Sequence, residues 1–316
     1  MRCAGPGIAE MAGCGVSFLR THTRYAEVDL QKPFDVAVVI PSINRPTLHQ
    51  AVTSVLKQDF IGTVQILVGL DCEPDERLSF DPPIDRTVQT FWPGYSTSTR
   101  QGGLTPSHDG GALRTILTYL ANARLVAYLD DDNWWAPNHL TTLVNAIDGF
   151  DWAFSYRWFV DPNTREPLAI DLWESGGPGQ GVHKDGFVDP SCLMIDKTRC
   201  PSAPQCWMFP LSGDPMSADC TMFGFLSCHH SWRSTGEATA FYTLNPRDRM
   251  FPERLRWIEE AKMLEGYTEA LEARARLHGQ RKAEQEAEAQ AAKDGAAQQT
   301  AEYIAALEVQ EVGDAA

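Results

Sequence analysis

The sequence has no long apolar run and no excess of basic residues, and each absence excludes a class of protein. No apolar segment approaches the roughly 20 residues that a membrane-spanning helix needs, and the first 32 residues contain no apolar stretch of the signal-peptide type. The 42 acidic residues outnumber the 27 basic ones, for a formal net charge of −15, whereas a general nucleic-acid binder presents a basic face. We therefore expect a soluble, cytoplasmic protein that does not bind nucleic acid.

Cysteine is also sparse, and its spacing is irregular. The eight cysteines show no secreted disulfide framework, so reduced thiols are expected. Five of them lie with two histidines between Cys192 and His230, and this density raises the alternative of a structural zinc site. The Cys-x2–4-Cys spacing of such sites is missing there, which favours thiols buried as small apolar residues.

Apolar runs alternate with helical patterns through the first half of the chain. Short buried strands are predicted at residues 34–40, 64–70, 86–91 and 125–129. Helices, indicated by apolar residues at helical spacing, are predicted from residues 44–46 to about residue 58, at 112–121 and at 137–147. This order predicts an α/β fold: a mostly parallel, Rossmann-like sheet flanked by helices on both faces.

The second half is less regular. Strands are predicted at residues 152–160, 167–172, 191–195 and 238–244, and helices at 217–228 and 252–277. The segment Glu174–Gly186 contains five glycines and one proline, which predicts a mobile loop. Residues 280–316 are rich in Ala, Glu and Gln and are predicted to be helical or disordered.

Polar groups follow three of the predicted parallel strands at the point where each strand ends. Pro41-Ser42, Asp71 and Asp130–Asp132 occupy these positions, and ligands of such sheets bind beyond the carboxyl ends of the strands. Three adjacent carboxylates repel one another unless a cation lies beside them, most simply a divalent ion. The sequence therefore predicts a metal-diphosphate site at this edge of the sheet.

Two segments resemble the inverting family-two glycosyltransferases of the GT-A fold. The first is the strand Val36–Ser42 with the helix that ends in Ser54-Val-Leu-Lys-Gln58, and the second is Tyr128–Asp132, which resembles the Asp-x-Asp (DxD) motif. The resemblance covers residues 34–245 and implies transfer of a sugar, with inversion, from a nucleotide-diphospho-sugar donor to an acceptor hydroxyl. It also implies hexosyltransferase-like activity, a bound Mn²⁺ or Mg²⁺, and, as a guess at the base, a UDP-sugar.

The resemblance assigns roles to individual residues. It implies that Asp132 binds the metal ion and that Asp130 holds the nucleoside side, with Asp131 between them pointing the other way. The donor site that it implies contains Pro41, Asp71, Arg114, Asp130 and Asp131. An ordinary turn residue is the alternative for Asp71, and a surface ion pair is the alternative for Arg114. One of His229 and His230 is a further candidate for the metal.

Asp219 is the predicted catalytic base. Inverting transfer needs a carboxylate that takes the proton of the acceptor hydroxyl, and Ser217-Ala218-Asp219 stands where the family carries an acidic pair at the start of a helix. Ala218 breaks that pair, so Asp214 and Asp189 remain alternatives, as does an N-cap role for Asp219.

The broken pair also leaves open a different class of protein, a catalytically inactive nucleotide-sugar-binding protein that acts through its C-terminal helix. A nucleotidyl enzyme is disfavoured because Pro41–Asn44 lacks glycine. Trp134 and Trp135 are candidates to line the acceptor site, with core packing as the alternative.

The predicted organisation has four parts. They are a flexible arm (1–33), a GT-A domain (34–250) with nucleotide-binding (34–147) and acceptor (148–250) halves, a docking helix (251–279) and a tail (280–316). The glycine-rich loop is a predicted lid over the donor, and homo-oligomers through the C-terminal helix are a further possibility.

Overall fold

A computed structural model describes residues 19–22, 29–73, 78–211 and 213–263. The strands are β1 Leu19–His22, β2 Phe34–Ser42, β3 Val64–Leu70, β4 Arg86–Phe91, β5 Ala123–Tyr128, β6 Trp134–Trp135, β7 Trp152–Val160, β8 Pro167–Ile170, β9 Gly177–Pro178, β10 Gly186–Phe187, β11 Leu193–Asp196 and β12 Trp232–Thr243. The helices are α1 Leu48–Leu56, α2 Gly111–Leu120, α3 His139–Ile147, α4 Ala218–His229 and α5 Phe251–Met263.

Four parallel strands form the first half of a ten-stranded sheet. Their order is β4-β3-β2-β5, with Val38 beside both Ile66 and Ala127. Both faces of β2 and β3 are almost entirely buried, because parallel strands covered by helices on both sides are apolar along their whole length. The predicted α/β class with a parallel core is confirmed.

The second half of the sheet mixes both directions. β11 lies antiparallel between β5 and β7, and β12 runs parallel to β7, with β6 at the edge and β8 forming a hairpin with β7. β12 begins at Trp232, six residues before the predicted start. After Trp232, residues 233–237 carry no apolar pattern, yet residues 232–234 pair with β7 before a bulge that ends at Ala238.

The amino-terminal and carboxy-terminal predictions are described in part. Residues 19–22, within the predicted arm, pair with β4 as an antiparallel edge strand. α5 is described to Met263, so the rest of the predicted helix and the tail at 280–316 lie outside the described residues. No helix in the described part of the chain is long and apolar enough to cross a membrane.

Two apolar clusters stabilise the fold. The larger one lies around β2, β3, β5, β7 and β11. A smaller one joins α5 to β7, β8 and β12 through Phe159, Ala169, Leu244, Trp257, Ile258 and Ala261. The sheet is therefore continuous across the predicted boundary at residue 147, and α5 closes the outer end of its second half.

Candidate active site at the carboxyl edge of the sheet

The acidic motif lies in the loop between β5 and β6, where the parallel strands end. Leu129 donates its backbone N–H to Val39 O at 3.1 Å, and Asn133 N–H donates to Asp130 O at 3.1 Å. These bonds extend β5 by one residue and then turn the chain. As a result, the three carboxylates leave the sheet beside the end of β2 and have different surroundings.

Asp131 is buried and belongs to the interior of the loop. Its Oδ2 accepts a 2.5 Å hydrogen bond from Ser42 Oγ, and its Oδ1 accepts a 2.6 Å bond from Arg45 Nη1. The same Ser42 hydroxyl accepts from Asn44 N–H at 2.8 Å. This cluster fixes the chain after β2 and places Arg45 in the site.

Asp132 is the accessible member of the motif. Its side chain is 43% exposed, and its Oδ2 accepts a 2.9 Å bond from the same Nη1 of Arg45. Desolvation and the charge of Asp130 raise the pKa of Asp132 to about 7, while Arg45 opposes the shift. Arg45 is therefore the cation that the chain itself supplies to this carboxylate.

Asp130 pairs with Arg114, which α2 carries on its buried face. Arg114 Nη2 donates to Asp130 Oδ1, Nη1 donates to the backbone oxygen of Asp109, and the guanidinium lies 5.0 Å from the ring centre of Trp207. Only 4% of the Arg114 side chain is exposed. The structure therefore places Arg114 against the acidic motif.

Asp71 and Pro41 lie at the same edge, but in structural positions. The carboxylate of Asp71 accepts bonds from Thr97 N (2.6 Å), Thr97 Oγ1 (2.8 Å) and Ser96 Oγ (2.9 Å). Pro41 is buried in β2, and a side chain at Gly110 would meet it at 2.6 Å. Both residues hold the loop before α2 and the start of α2 itself.

Asp219 occupies the first turn of α4 and lies close enough to Arg114 for their charges to interact. Its Oδ1 accepts from Cys220 N–H at 2.7 Å. Burial and the negative charges of Asp109 and Asp189 raise the pKa of Asp219 to about 7, although Arg114 opposes this. Such a carboxylate holds a proton at slightly acid pH and releases it near neutrality.

The two alternative bases have other partners. Asp214 is exposed, and its Oδ1 accepts from Met216 N–H at 3.1 Å. Asp189 is buried, accepts from Arg157 Nη1, and caps a short 3-10 turn through Ser191 N–H at 2.8 Å. Asp219 therefore remains the favoured candidate.

The tandem tryptophans separate into a core residue and a surface residue. Trp135 is 3% exposed, stacks on His139 at 4.1 Å and donates to Ser191 O at 2.7 Å. Trp134 is partly exposed and lies between Phe241 (5.2 Å between ring centres) and the guanidinium of Arg165 (4.2 Å). Trp134 is therefore exposed only in part, because Phe241 and Arg165 cover its ring.

The two histidine candidates for the metal do not lie at this edge. His229 and His230 end α4, roughly 15 Å along the helix from Asp219, and His230 Nδ1 lies 3.5 Å from Asp151 Oδ2. Asp151 precedes β7, at the amino end of β5. The six cysteines of the described residues are free, and within those residues no three His, Cys, Asp or Glu side chains gather as a metal centre.

The residues fit a metal ion that is bound largely through its ligand. Mg²⁺ and Mn²⁺ in phosphate sites use one or two carboxylates, with phosphate and water completing the coordination. Asp132 offers one accessible carboxylate with a neighbouring arginine, whereas Asp131 is held by Ser42 and Arg45. One accessible carboxylate is thus enough for a metal ion whose remaining ligands come from a bound diphosphate and water.

Several residues that lie at this edge were not predicted from the sequence to belong to the site. Arg45 was assigned to a helix start, and Ser191, Asn133, Asp109 and Arg165 were not assigned to the site. The position of Arg45 in the polar loop after β2 is a signal that could have identified it, because such loops line the ligand crevice. Ser191 and Arg165 come from distant parts of the sequence, whereas Asn133 directly follows the acidic motif and Asp109 precedes α2.

Comparisons with known proteins give structural matches only. No protein-family model matches the chain, and no curated protein matches its sequence. Among solved structures it is similar to TarS 1-349 from S. aureus, with a TM-score of 0.47 and 15% identity over 66% of this chain and 60% of that chain. The complex of TarS 1-349 with UDP-GlcNAc matches with a TM-score of 0.46 and 15% identity, over 71% of this chain and 65% of that one.

The mannosyltransferase PcManGT from Pyrobaculum calidifontis, in complex with GDP-Man and Mn²⁺, matches with a TM-score of 0.44 and 10% identity. This match covers 68% of the present chain and 58% of that chain. The chain therefore spans about 60% of the length of these structures.

Proposed function

We propose that the protein is a metal-dependent, inverting glycosyltransferase that moves a sugar from a nucleotide-diphospho-sugar to an acceptor hydroxyl. The observation that carries this proposal is one juxtaposition. An accessible carboxylate, Asp132, and two arginines, Arg45 and Arg114, lie at the carboxyl edge of the sheet, and Asp219, a carboxylate with a pKa of about 7, interacts electrostatically with Arg114.

The donor side uses the arginines and the acidic motif. Asp132 would hold Mn²⁺ or Mg²⁺, which when bound supplies a Lewis acid that neutralises charge on the leaving diphosphate. Arg45 and Arg114 are positioned to donate to the diphosphate oxygens, since guanidinium groups bind such oxygens in pairs. Asp130 faces the nucleoside side, and Asp71 supports it by ordering residues 96–97.

The acceptor side uses Asp219. A base works best when its pKa lies near the working pH, and burial beside Asp109 and Asp189 brings the pKa of Asp219 to about 7. As the acceptor oxygen attacks the anomeric carbon, Asp219 takes the hydroxyl proton, and the bond from the anomeric carbon to the diphosphate breaks.

Heat-stability measurements test the proposal, because a ligand that binds the folded state raises its melting temperature. The probes are UDP, UDP-GlcNAc and GDP-mannose, each with and without MnCl2. We expect stabilisation by at least one nucleotide that requires Mn²⁺ and is absent from Asp132→Ala. If no nucleotide stabilises the protein with Mn²⁺ present, the donor site is wrongly assigned.

A further inference from the structure

The helix α5 packs against Trp173, the residue directly before the glycine-rich segment Glu174–Gly186. The indole rings of Trp173 and Trp257 are stacked, with their planes 2° apart and their centroids 6.0 Å apart. Trp257, Ile258 and Ala261 are buried against β7, β8 and β12. Apolar contact therefore fixes α5 beside the point where the glycine-rich segment leaves the sheet.

A buried ion network joins the same two elements. Arg254 of α5 donates to both carboxylate oxygens of Glu174, through Nε at 2.6 Å and Nη2 at 3.0 Å. Glu174 also accepts from Arg157 Nη2 at 2.8 Å. Arg157 is 2% exposed and donates further to Asp171 at 2.8 Å and to Asp189. Two buried arginines are thus shared among three buried carboxylates, at both ends of the segment 171–189.

The network continues to the candidate donor site. Asp189 accepts from Ser191 N–H at 2.8 Å. The Ser191 hydroxyl accepts from Asn133 Nδ2 at 3.0 Å and from the backbone N–H of Asp130 at 3.3 Å. A continuous set of hydrogen bonds therefore runs from Arg254, through Ser191, to the acidic motif.

Glycines bend the segment, and its tip consists of exposed residues. Gly181 has a φ of +84°, and a Cβ there would lie 2.0 Å from Trp173 O, so the bend requires glycine. The tip, residues 181–185, is exposed and contains Lys184. On the returning strand, Phe187 packs 6.0 Å from Phe223 of α4, the helix that carries Asp219.

We propose that α5 holds the glycine-rich segment in place and that Arg254 is a positioning residue for the candidate site, acting through Glu174, Arg157 and Asp189. The inference that this edge binds a donor rests on the proposed function, but the contact between α5 and the segment does not. Without Arg254, Glu174 keeps one of its two arginine partners, and the segment opens locally while the sheet stays folded.

Limited trypsin digestion of the full-length protein tests the proposal, because Lys184 provides a cleavage site at the tip. We compare Arg254→Met with Arg256→Met, since Arg256 lies on the same helix and is 63% exposed. Cleavage after Lys184, quantified by mass spectrometry, is expected to be at least fivefold faster in Arg254→Met. Cleavage after the exposed Arg100 is expected to stay within twofold of the control.

Two outcomes would overturn the proposal: equal cleavage after Lys184 in the two variants, or parallel acceleration after Lys184 and Arg100, which indicates global unfolding. Arg254→Lys keeps a charged donor and is expected to restore slower cleavage after Lys184. If Arg254→Met does not fold, Glu174→Gln, which keeps the side-chain shape but removes the charge, is expected to give the same acceleration.

A binding measurement separates this proposal from the proposed function. Titration with UDP and MnCl2 is expected to give about tenfold weaker binding to Arg254→Met than to Arg256→Met. If the unmodified protein binds no UDP or other nucleotide, the assignment of the donor site fails while the cleavage result still decides the role of α5. If UDP binds both variants equally, Arg254 has no positioning role in the site.

Discussion

Asp131 and Asp132 are neighbours in the sequence, but they differ in how much of each side chain is exposed. Asp131 is buried and hydrogen-bonded by Ser42 and Arg45, whereas Asp132 keeps 43% of its side chain exposed. Both carboxylates lie in the turn after β5 and contact the same Nη1 of Arg45, so Asp131 does not point away from Asp132 as strand alternation predicts. Of the two, Asp132 is the exposed one and can face a ligand. The two residues should therefore fail in different ways when they are replaced.

Asp132→Ala is expected to abolish Mn²⁺-dependent stabilisation by nucleotides while leaving the free energy of unfolding within about 0.5 kcal/mol, since the residue is partly exposed. Asp131→Ala is expected to lower that free energy by about 3 kcal/mol, because it leaves Ser42 and Arg45 without their carboxylate. Urea unfolding and heat stability measure the two effects. Asp148→Ala, an exposed carboxylate after α3, is the control. Identical behaviour of the first two variants would contradict the separate roles of Asp131 and Asp132.

Asp219 gives a prediction for catalysis and its pH dependence. A base must be deprotonated to act, so kcat/KM is expected to fall about tenfold per pH unit below a pKa of about 7. Asp219→Asn is expected to lower kcat by 10²–10⁴-fold with donor affinity retained.

Asp214→Asn, at an exposed site in the loop before α4, is the control. It should keep both the activity and the pH profile. A protein that turns over no donor either before or after the change would be the inactive nucleotide-sugar binder instead.

Among the elements, α1 shows how tertiary contacts override a local signal. Pro46 favours a helix that opens at residues 44–46, yet α1 begins at Leu48. Asn44 adopts a left-handed φ of 61° and donates to Ser42, and Arg45 reaches the acidic motif. Residues 44–46 therefore stay outside the helix, because Arg45 contacts Asp131 and Asp132, which lie more than 80 positions away.

The start of α3 predicts a pH dependence of stability. His139 is fully buried, accepts or donates one bond with Thr239 at 2.7 Å, and burial lowers its pKa to about 3. The unfolded chain, with a pKa near 6.5, binds a proton that the folded chain does not. The free energy of unfolding therefore falls as pH drops, by about 1.4 kcal/mol between pH 7.5 and 5.5 from this group.

Urea unfolding at pH 7.5 and 5.5 isolates this contribution as a difference between the unmodified protein and His139→Gln. The difference is needed because the raised pKa of Asp219 acts in the opposite direction. His49→Gln, at an exposed site on α1, should keep the pH dependence of the unmodified protein. If His139→Gln keeps it as well, His139 is protonated in the folded state.

At the scale of the whole molecule, Arg157 links the sheet, the glycine-rich segment and α5. Arg157→Met would leave Asp171 and Asp189 buried without their guanidinium partner. Breaking a buried ion pair on one side costs about 3–5 kcal/mol, so we expect a loss of that size in the free energy of unfolding. Arg256→Met, an exposed arginine of α5, should change it by less than about 0.5 kcal/mol. A loss under 1 kcal/mol for Arg157→Met would contradict the network.

The parallel core and the gathering of acidic residues at its carboxyl edge were predictable from the sequence. Strands 64–70 and 152–160 were predicted with the bounds that the structure shows, because burial on both faces leaves nearly continuous apolar runs. Strand 86–91, predicted from its alternating pattern, also has the observed bounds. The direction of parallel strands then places Ser42, Asp71 and Asp130 at one edge without further information.

Only the tertiary structure decided which groups neutralise those carboxylates and which groups support the loops around them. Arg45, Ser191 and Arg254 lie 86, 61 and 80 positions from the partners they contact, and no local period records such pairs. Charge compensation in a buried site depends on which side chains meet in space. The sequence by itself therefore determined where the acidic site lies, while the packing of distant loops and of α5 determined its cations and support.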